Sequence, residues 1–218
     1  QSTKDDNEYE AKPFGNEQKG FPYALKQFAT KNYSAVLQTP YGNTLTMLMA
    51  KDAIANEQMG KDSITDFLAL SFSSPDYIGH AFGPNSIEAE DGFLRLDKDL
   101  GELFDYLDRT VGKGQYVSFL TADHGVAHVP GFSTEHKLPG GAVDDSKMVS
   151  DLNKQLKAAY GADNLVLSAY NYQITINQHV IDSAKFDRSA IVQTVMNYAR
   201  AIKGVDRVFE MNKLMMQP

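Results

Sequence analysis

Asp66-Phe67-Leu68-Ala69-Leu70-Ser71-Phe72-Ser73-Ser74-Pro75-Asp76-Tyr77-Ile78-Gly79-His80 opens as a short apolar run and closes in a polar stretch. A run of this length, rich in Phe and Leu, suits a strand buried on both faces. The pattern recurs in Tyr116-Val117-Ser118-Phe119-Leu120-Thr121-Ala122-Asp123-His124-Gly125. Between the two, Asn85 followed three residues later by Glu88 resembles a capping box. The helix it would open carries Leu94, Leu96, Leu100, Leu103, Phe104, Leu107 and Val111, and Gly112 stands behind it as a stop. Strand, long helix, strand is a βαβ unit, which implies a parallel sheet with a right-handed crossover.

Working outward, residues 1–20 are polar and carry no apolar period, so a flexible arm is expected. Asn43 or Thr44 can cap a helix marked by Leu45, Leu48, Met49, Asp52 and Ala53 and ended by Gly60. The segment around Gly79, Gly83 and Pro84 reads as a loop. Beyond a soft boundary at Pro139-Gly140-Gly141 lie a helix over 147–160, an alternating strand over 172–177, a helix from Asp187 to Ile202 and a strand over 205–209. These have their own apolar faces, so a second, smaller α+β lobe is expected.

Composition narrows the function. The 218 residues are 42% hydrophobic, enough for a core, which excludes a disordered polymer. Asp and Glu number 28 against 21 Lys and Arg, so no basic face is available to replace phosphate counterions and a nucleic-acid polymer is not the expected partner. No apolar run reaches the roughly 18 residues of a membrane span. With no cysteine, disulfides, Cys-ligated zinc and thiol catalysis are excluded. A chain opening on Gln1 and showing no signal peptide is expected to be a trimmed form.

Both strands run into loops that carry an Asp and a His: Asp76 and His80 after the first, Asp123 and His124 after the second. The carboxyl edge of a parallel sheet is where α/β folds build their sites. Taken singly, each motif is an ordinary polar turn. Taken together they bring two carboxylates and two imidazoles side by side, a ligand set that suits zinc or another borderline divalent ion. Two such ions a few Å apart clamp the oxygens of an in-line phosphoryl displacement. His128 and His136 lie in the following loop as further candidate ligands, and His179 reads as structural or solvent-facing. Tyr77, Phe82 and Phe132 could wall a pocket. Glu88, Glu90, Asp91, Asp97 and Asp99 read as the solvated face of the long helix, and Met211 to Met216 as packing.

The stretches Ser71 to Ser86 and Phe119 to Phe132, with Phe21-Pro22-Tyr23 and Thr39-Pro40-Tyr41-Gly42-Asn43 upstream, resemble the alkaline phosphatase superfamily. Within it they are similar to the type I phosphodiesterase/nucleotide pyrophosphatase branch, closest to the Bacteroidetes-type monoesterase alkaline phosphatases. The resemblance implies an α/β fold with an alkaline-phosphatase-like, partly parallel sheet flanked by helices, and a small α+β lobe near the C-terminus. It divides the chain into an arm (1–20), the metal-site part of the core (21–140) and the lobe (141–218).

It also implies two zinc ions in the complete enzyme. Asp76 and His80 match the pair that binds one with a distant third histidine; Asp123 and His124 match the pair that binds the other with an early aspartate and a Thr or Ser nucleophile. No residue here matches that nucleophile, that early aspartate or the third histidine. The chain is therefore expected to be a fragment of a zinc-dependent phosphate monoester hydrolase, inactive alone and with no catalytic residue of its own. Its expected partners are small phosphate esters, and its location is periplasmic or secreted. A nucleotide phosphodiesterase and a non-catalytic metal-binding module remain the alternatives.

Overall fold

The computed structural model describes residues 5, 7–15, 17, 20–28 and 31–216. The rest of the expected arm lies outside the described residues. The chain divides into two compact units, residues 1–138 and 139–218.

In the first unit, 3-10 turns at Leu25–Phe28 and Tyr33–Gln38 lead into helix α1, Tyr41–Asn56. The helix starts behind Pro40, ahead of the expected caps. Asn43 lies inside it at the head of a buried stripe with Met47, Ala50 and Ile54, and the Thr44 hydroxyl donates to Asp99 Oδ2 at 2.9 Å. Spacings of three and four residues put that stripe on one face. It packs with Leu103, Leu70 and Phe72.

The segment expected as a loop is helix α2, Ser74–Phe82. Pro75 fits its first turn, where a missing N–H costs nothing, and Gly83 ends it at φ +92°. Gly79, which reads as a breaker, is accommodated mid-helix. Ser74, Ile78 and Phe82 form the buried face, against Phe14, Ala35 and Ala89. Phe14 belongs to the segment expected as an arm, and the nearby Ala11 N–H donates to the Ala81 carbonyl at 2.7 Å.

Helix α3, Ile87–Leu107, is capped one residue later than the sequence suggests: Ser86 Oγ accepts from the Ala89 N–H at 3.1 Å. Glu88 is not on the solvated face. It is 5% exposed and accepts from the Tyr23 hydroxyl, a partner 65 residues away. A short helix α4 spans Pro130–Glu135.

The two expected central strands carry no helix or turn over 66–72 and 116–120, and no ladder joins them to any neighbour among the described residues. Their apolar side chains stand out: Phe67 is 80% exposed, Val117 92% and Phe119 81%. Pairing needs neighbours on the hydrogen-bonding edges.

The second unit closes its own core. Helix α5, Asp145–Tyr160, is capped by the Asp144 side chain and ended by Gly161 at φ +71°. A hairpin follows, β1 Val166–Tyr170 antiparallel to β2 Gln173–Ile176, then α6 Gln178–Ala184 and α7 Arg188–Arg200, the latter capped by Asp187. Leu152, Leu156, Leu165, Val166, Ile181, Ile191 and Val195 form the core. Asn153 of α5 brackets Val166: its Nδ2 donates to the Val166 carbonyl at 2.8 Å and its Oδ1 accepts from the Val166 N–H at 2.9 Å. The expected strand over 205–209 carries no ladder among the described residues. Among them, too, no helix is long and apolar enough to cross a membrane.

Two glycines of the first unit give opposite outcomes. A Cβ on Gly42 would sit 2.1 Å from Ser74 Oγ, whereas one on Gly79 meets nothing within 4 Å. Gly42→Ala is expected to cost about 1–3 kcal/mol by overpacking. Gly79→Ala is expected to stabilise by about 0.4–1 kcal/mol through helix propensity and unfolded-state entropy. Urea denaturation of the two variants checks both signs.

Burial, more than anything else, raises the Glu88 carboxyl above its ordinary value; the Tyr23 hydroxyl opposes this, and Glu10 and Asp5 add to it. A carboxyl raised in the folded state favours folding while protonated, so its contribution is present at low pH and lost as pH rises through the folded value. Glu88→Gln is therefore expected to flatten the decline in stability as pH rises through that titration, measured by denaturation across pH 4–8.

Candidate metal centre

Helix α2 decides the geometry of the first pair. Four residues apart on one helix, Asp76 and His80 share a face, and His80 Nε2 lies 3.5 Å from Asp76 Oδ1. The second pair sits past the segment 116–120, at a bend. There His124 Nε2 lies 3.8 Å from Asp123 Oδ2 and 3.8 Å from Asp76 Oδ1. The four residues named from sequence thus form one continuous group, joined through Asp76 Oδ1 and His124 Nε2. All four side chains are substantially open to solvent.

His124 is oriented for ligation. Its Nδ1 lies 2.8 Å from the Gly125 carbonyl oxygen, which can only accept, so Nδ1 carries the proton. In the neutral ring Nε2 is then the nitrogen that keeps a lone pair to donate. This is the arrangement by which a backbone carbonyl fixes the tautomer of a metal-binding histidine. The His124 N–H also donates to Asp123 Oδ1 at 3.1 Å, which ties the two residues together. The Gly125 hydrogen bond, then Asp123, then Asp76 raise the imidazole above its ordinary value.

Donor chemistry fits a borderline divalent ion, with two carboxylates and two imidazoles. Coordination from this group is incomplete: among the described residues no three His, Asp or Glu side chains are gathered so as to hold a metal ion. The group is two pairs that touch, not a closed cage.

The other candidates lie elsewhere. His128 Nδ1 is 2.6 Å from Asn85 Oδ1, and the ring stacks on Phe132 at 5.0 Å between centroids. His136 stacks on the same Phe132 ring at 3.9 Å between centroids, with Nδ1 3.0 Å from the Phe132 carbonyl oxygen. His179 is in the first turn of α6 in the second unit. Phe82 and Phe132 line one small pocket together, whereas Tyr77 is exposed and not part of that lining. Sequence reasoning missed the Gly125 carbonyl, which no side-chain pattern signals. It also missed the Gly42–Ser74 contact under the start of α2.

The profile of the type I phosphodiesterase / nucleotide pyrophosphatase family matches residues 7–200. The chain belongs to that family. Among curated relatives it is 45% identical over 199 residues to "Alkaline phosphatase PafA" of Elizabethkingia meningoseptica, covering 90% of this chain and 36% of that protein. It is 44% identical over 214 residues to "Alkaline phosphatase PhoV" of Synechococcus elongatus, covering 94% and 37%. A protein of Myroides odoratus named "Calcium-transporting ATPase" is 43% identical over 215 residues, covering 97% and 39%. The crystal structure of wild-type alkaline phosphatase PafA superposes with a TM-score of 0.91 at 41% identity, over 99% of this chain and 41% of that one. The fold is alkaline-phosphatase-like, and the chain spans about two-fifths of the length of these relatives.

In the metal-free chain His124 is expected to titrate above the roughly 6.5 of an ordinary histidine. Asp123→Asn and Asp76→Asn are each expected to lower that value, Asp123→Asn more. Chemical-shift titration of the imidazole measures all three.

Proposed function

We propose that the chain carries two half-sites of a two-zinc phosphate ester hydrolase, one made by Asp76 and His80 and the other by Asp123 and His124. The observation that carries this reading is the meeting of both pairs at Asp76 Oδ1 and His124 Nε2, with the His124 tautomer fixed for ligation. Two ligands per ion explain why no three gather into one cage; each ion's remaining ligands come from outside this group. Bound zinc supplies Lewis acidity toward phosphoryl oxygens.

The chain's own residues have simpler tasks. Asp76 and Asp123 bring negative charge that balances the ions. His80 and His124 give neutral nitrogen donors, and the Gly125 carbonyl keeps the His124 proton on the far nitrogen. α2 holds Asp76 and His80 one turn apart, so the first pair is rigid before an ion arrives. No residue in the group is a nucleophile, so we assign the chain no catalytic residue and no turnover of its own.

The relatives named as alkaline phosphatases favour a small phosphate monoester as substrate of the whole protein. The family description keeps a phosphodiesterase as the second reading. In the first, residues 21–140 are the metal-site part of the core, 141–218 a smaller lobe and 1–20 a connecting arm, acting in the periplasm or outside the cell.

The test is zinc titration of the chain beside Asp123→Ala and His80→Ala. Expected are saturable binding, a tenfold or greater loss in each variant on the scale of a removed ligand (about 1.4 kcal/mol per tenfold), and weakening at acid pH as the imidazoles protonate. Variants that bind as well as the parent chain would remove the half-sites. Turnover of a chromogenic phosphate ester by the chain alone would overturn the assignment of no catalytic residue.

A further inference from the structure

A pocket of about 170 Å³ opens in the first unit between the loop before the first 3-10 turn, the start of α1 and the flank of α3. That is room for roughly five or six waters, or an organic group of similar bulk. Its walls are aromatic: Phe14, Phe21, Tyr23 and Tyr41 all line it. Phe14 and Phe21 flank Tyr23 with ring centroids 4.7 and 6.2 Å away. The Glu88 carboxylate also lines it, buried and bonded to the Tyr23 hydroxyl.

Two carboxylates, Glu88 and Asp91, and one cation, Arg95, line the pocket. Asp5 and Glu10 lie close enough to act on both Tyr23 and Glu88. Arg95 at the rim is engaged: its Nε donates to Asp91 Oδ2 at 2.8 Å, so the pair is neutral toward an occupant. An anion would meet the field of three carboxylates. A cation would meet a buried carboxylate and aromatic rings, the two groups that recognise ammonium ions.

We infer that this pocket binds a small organic monocation, an alkylammonium or quaternary ammonium group, with Glu88 as counter-ion and Phe14, Phe21, Tyr23 and Tyr41 as the cage. The site shares no residue with the metal group. Its occupant needs an apolar surface to fill the cage and a single positive charge to face Glu88.

The probe is choline, with 3,3-dimethylbutan-1-ol as its uncharged isostere, titrated into the full chain in chelator by NMR or calorimetry. Choline is expected to bind saturably and about tenfold or more tighter than the alcohol, the size of a partly desolvated cation–aromatic contact. Glu88→Gln is expected to erase that preference. Phe21→Leu, at a wall position, is expected to weaken choline while leaving the circular dichroism spectrum unchanged, and it tests the cage even if the Glu88 variant does not fold. Equal binding of both probes, an unchanged choline affinity in either folded variant, or no saturable choline binding would overturn the assignment. Chelator keeps these outcomes separate from those of the zinc titration.

Discussion

The first turn of α1 rests directly on the first turn of α2. Gly42 leaves no space above Ser74 Oγ, and Ser74 is buried two residues before Asp76. Ser74 opens α2, and α2 sets the face shared by Asp76 and His80. The same helix buries Ile78 and Phe82 under Phe14 and Ala89, so the core and the candidate site are opposite sides of one nine-residue element. Any side chain at 42 would therefore act on ligand geometry through packing alone, since interiors accommodate added atoms by moving neighbours.

Much of this was legible in the sequence because the signals were local. Asp187 caps its helix as a short polar side chain should, and the four residues named from their positions after the two apolar runs meet in space. The misreadings have particular causes. Gly79 and Gly83 in Ser74-Pro75-Asp76 to Pro84 suggested a loop, yet only Gly83 adopts a positive φ; Gly79 is a tolerated helix residue. Asn85 and Ser86 both suit a cap, and the structure uses the serine while the asparagine faces His128. Glu88 looked solvated because helical position alone cannot reveal a Tyr 65 residues earlier.

The two apolar segments show a different limit. Their composition suits a strand, but a strand becomes part of a sheet only when another backbone lies along its edge. With side chains such as Val117 and Phe119 open on the described surface, these segments carry the composition of an interior without its surroundings. A solved structure more than twice as long shares the fold at a TM-score of 0.91. The second unit lacks this tension: seven buried residues close a core within about eighty residues of chain.

Asn153 gives that second unit one more property. Its carboxamide offers Val166 a donor and an acceptor at the spacing of a peptide group, so the hairpin meets a side-chain imitation of a further strand at its first rung. A foreign chain seeking to extend the sheet along β1 would first have to displace two good hydrogen bonds there. Sheets that end without such a device invite intermolecular growth; here a single helix residue acts as the selvedge.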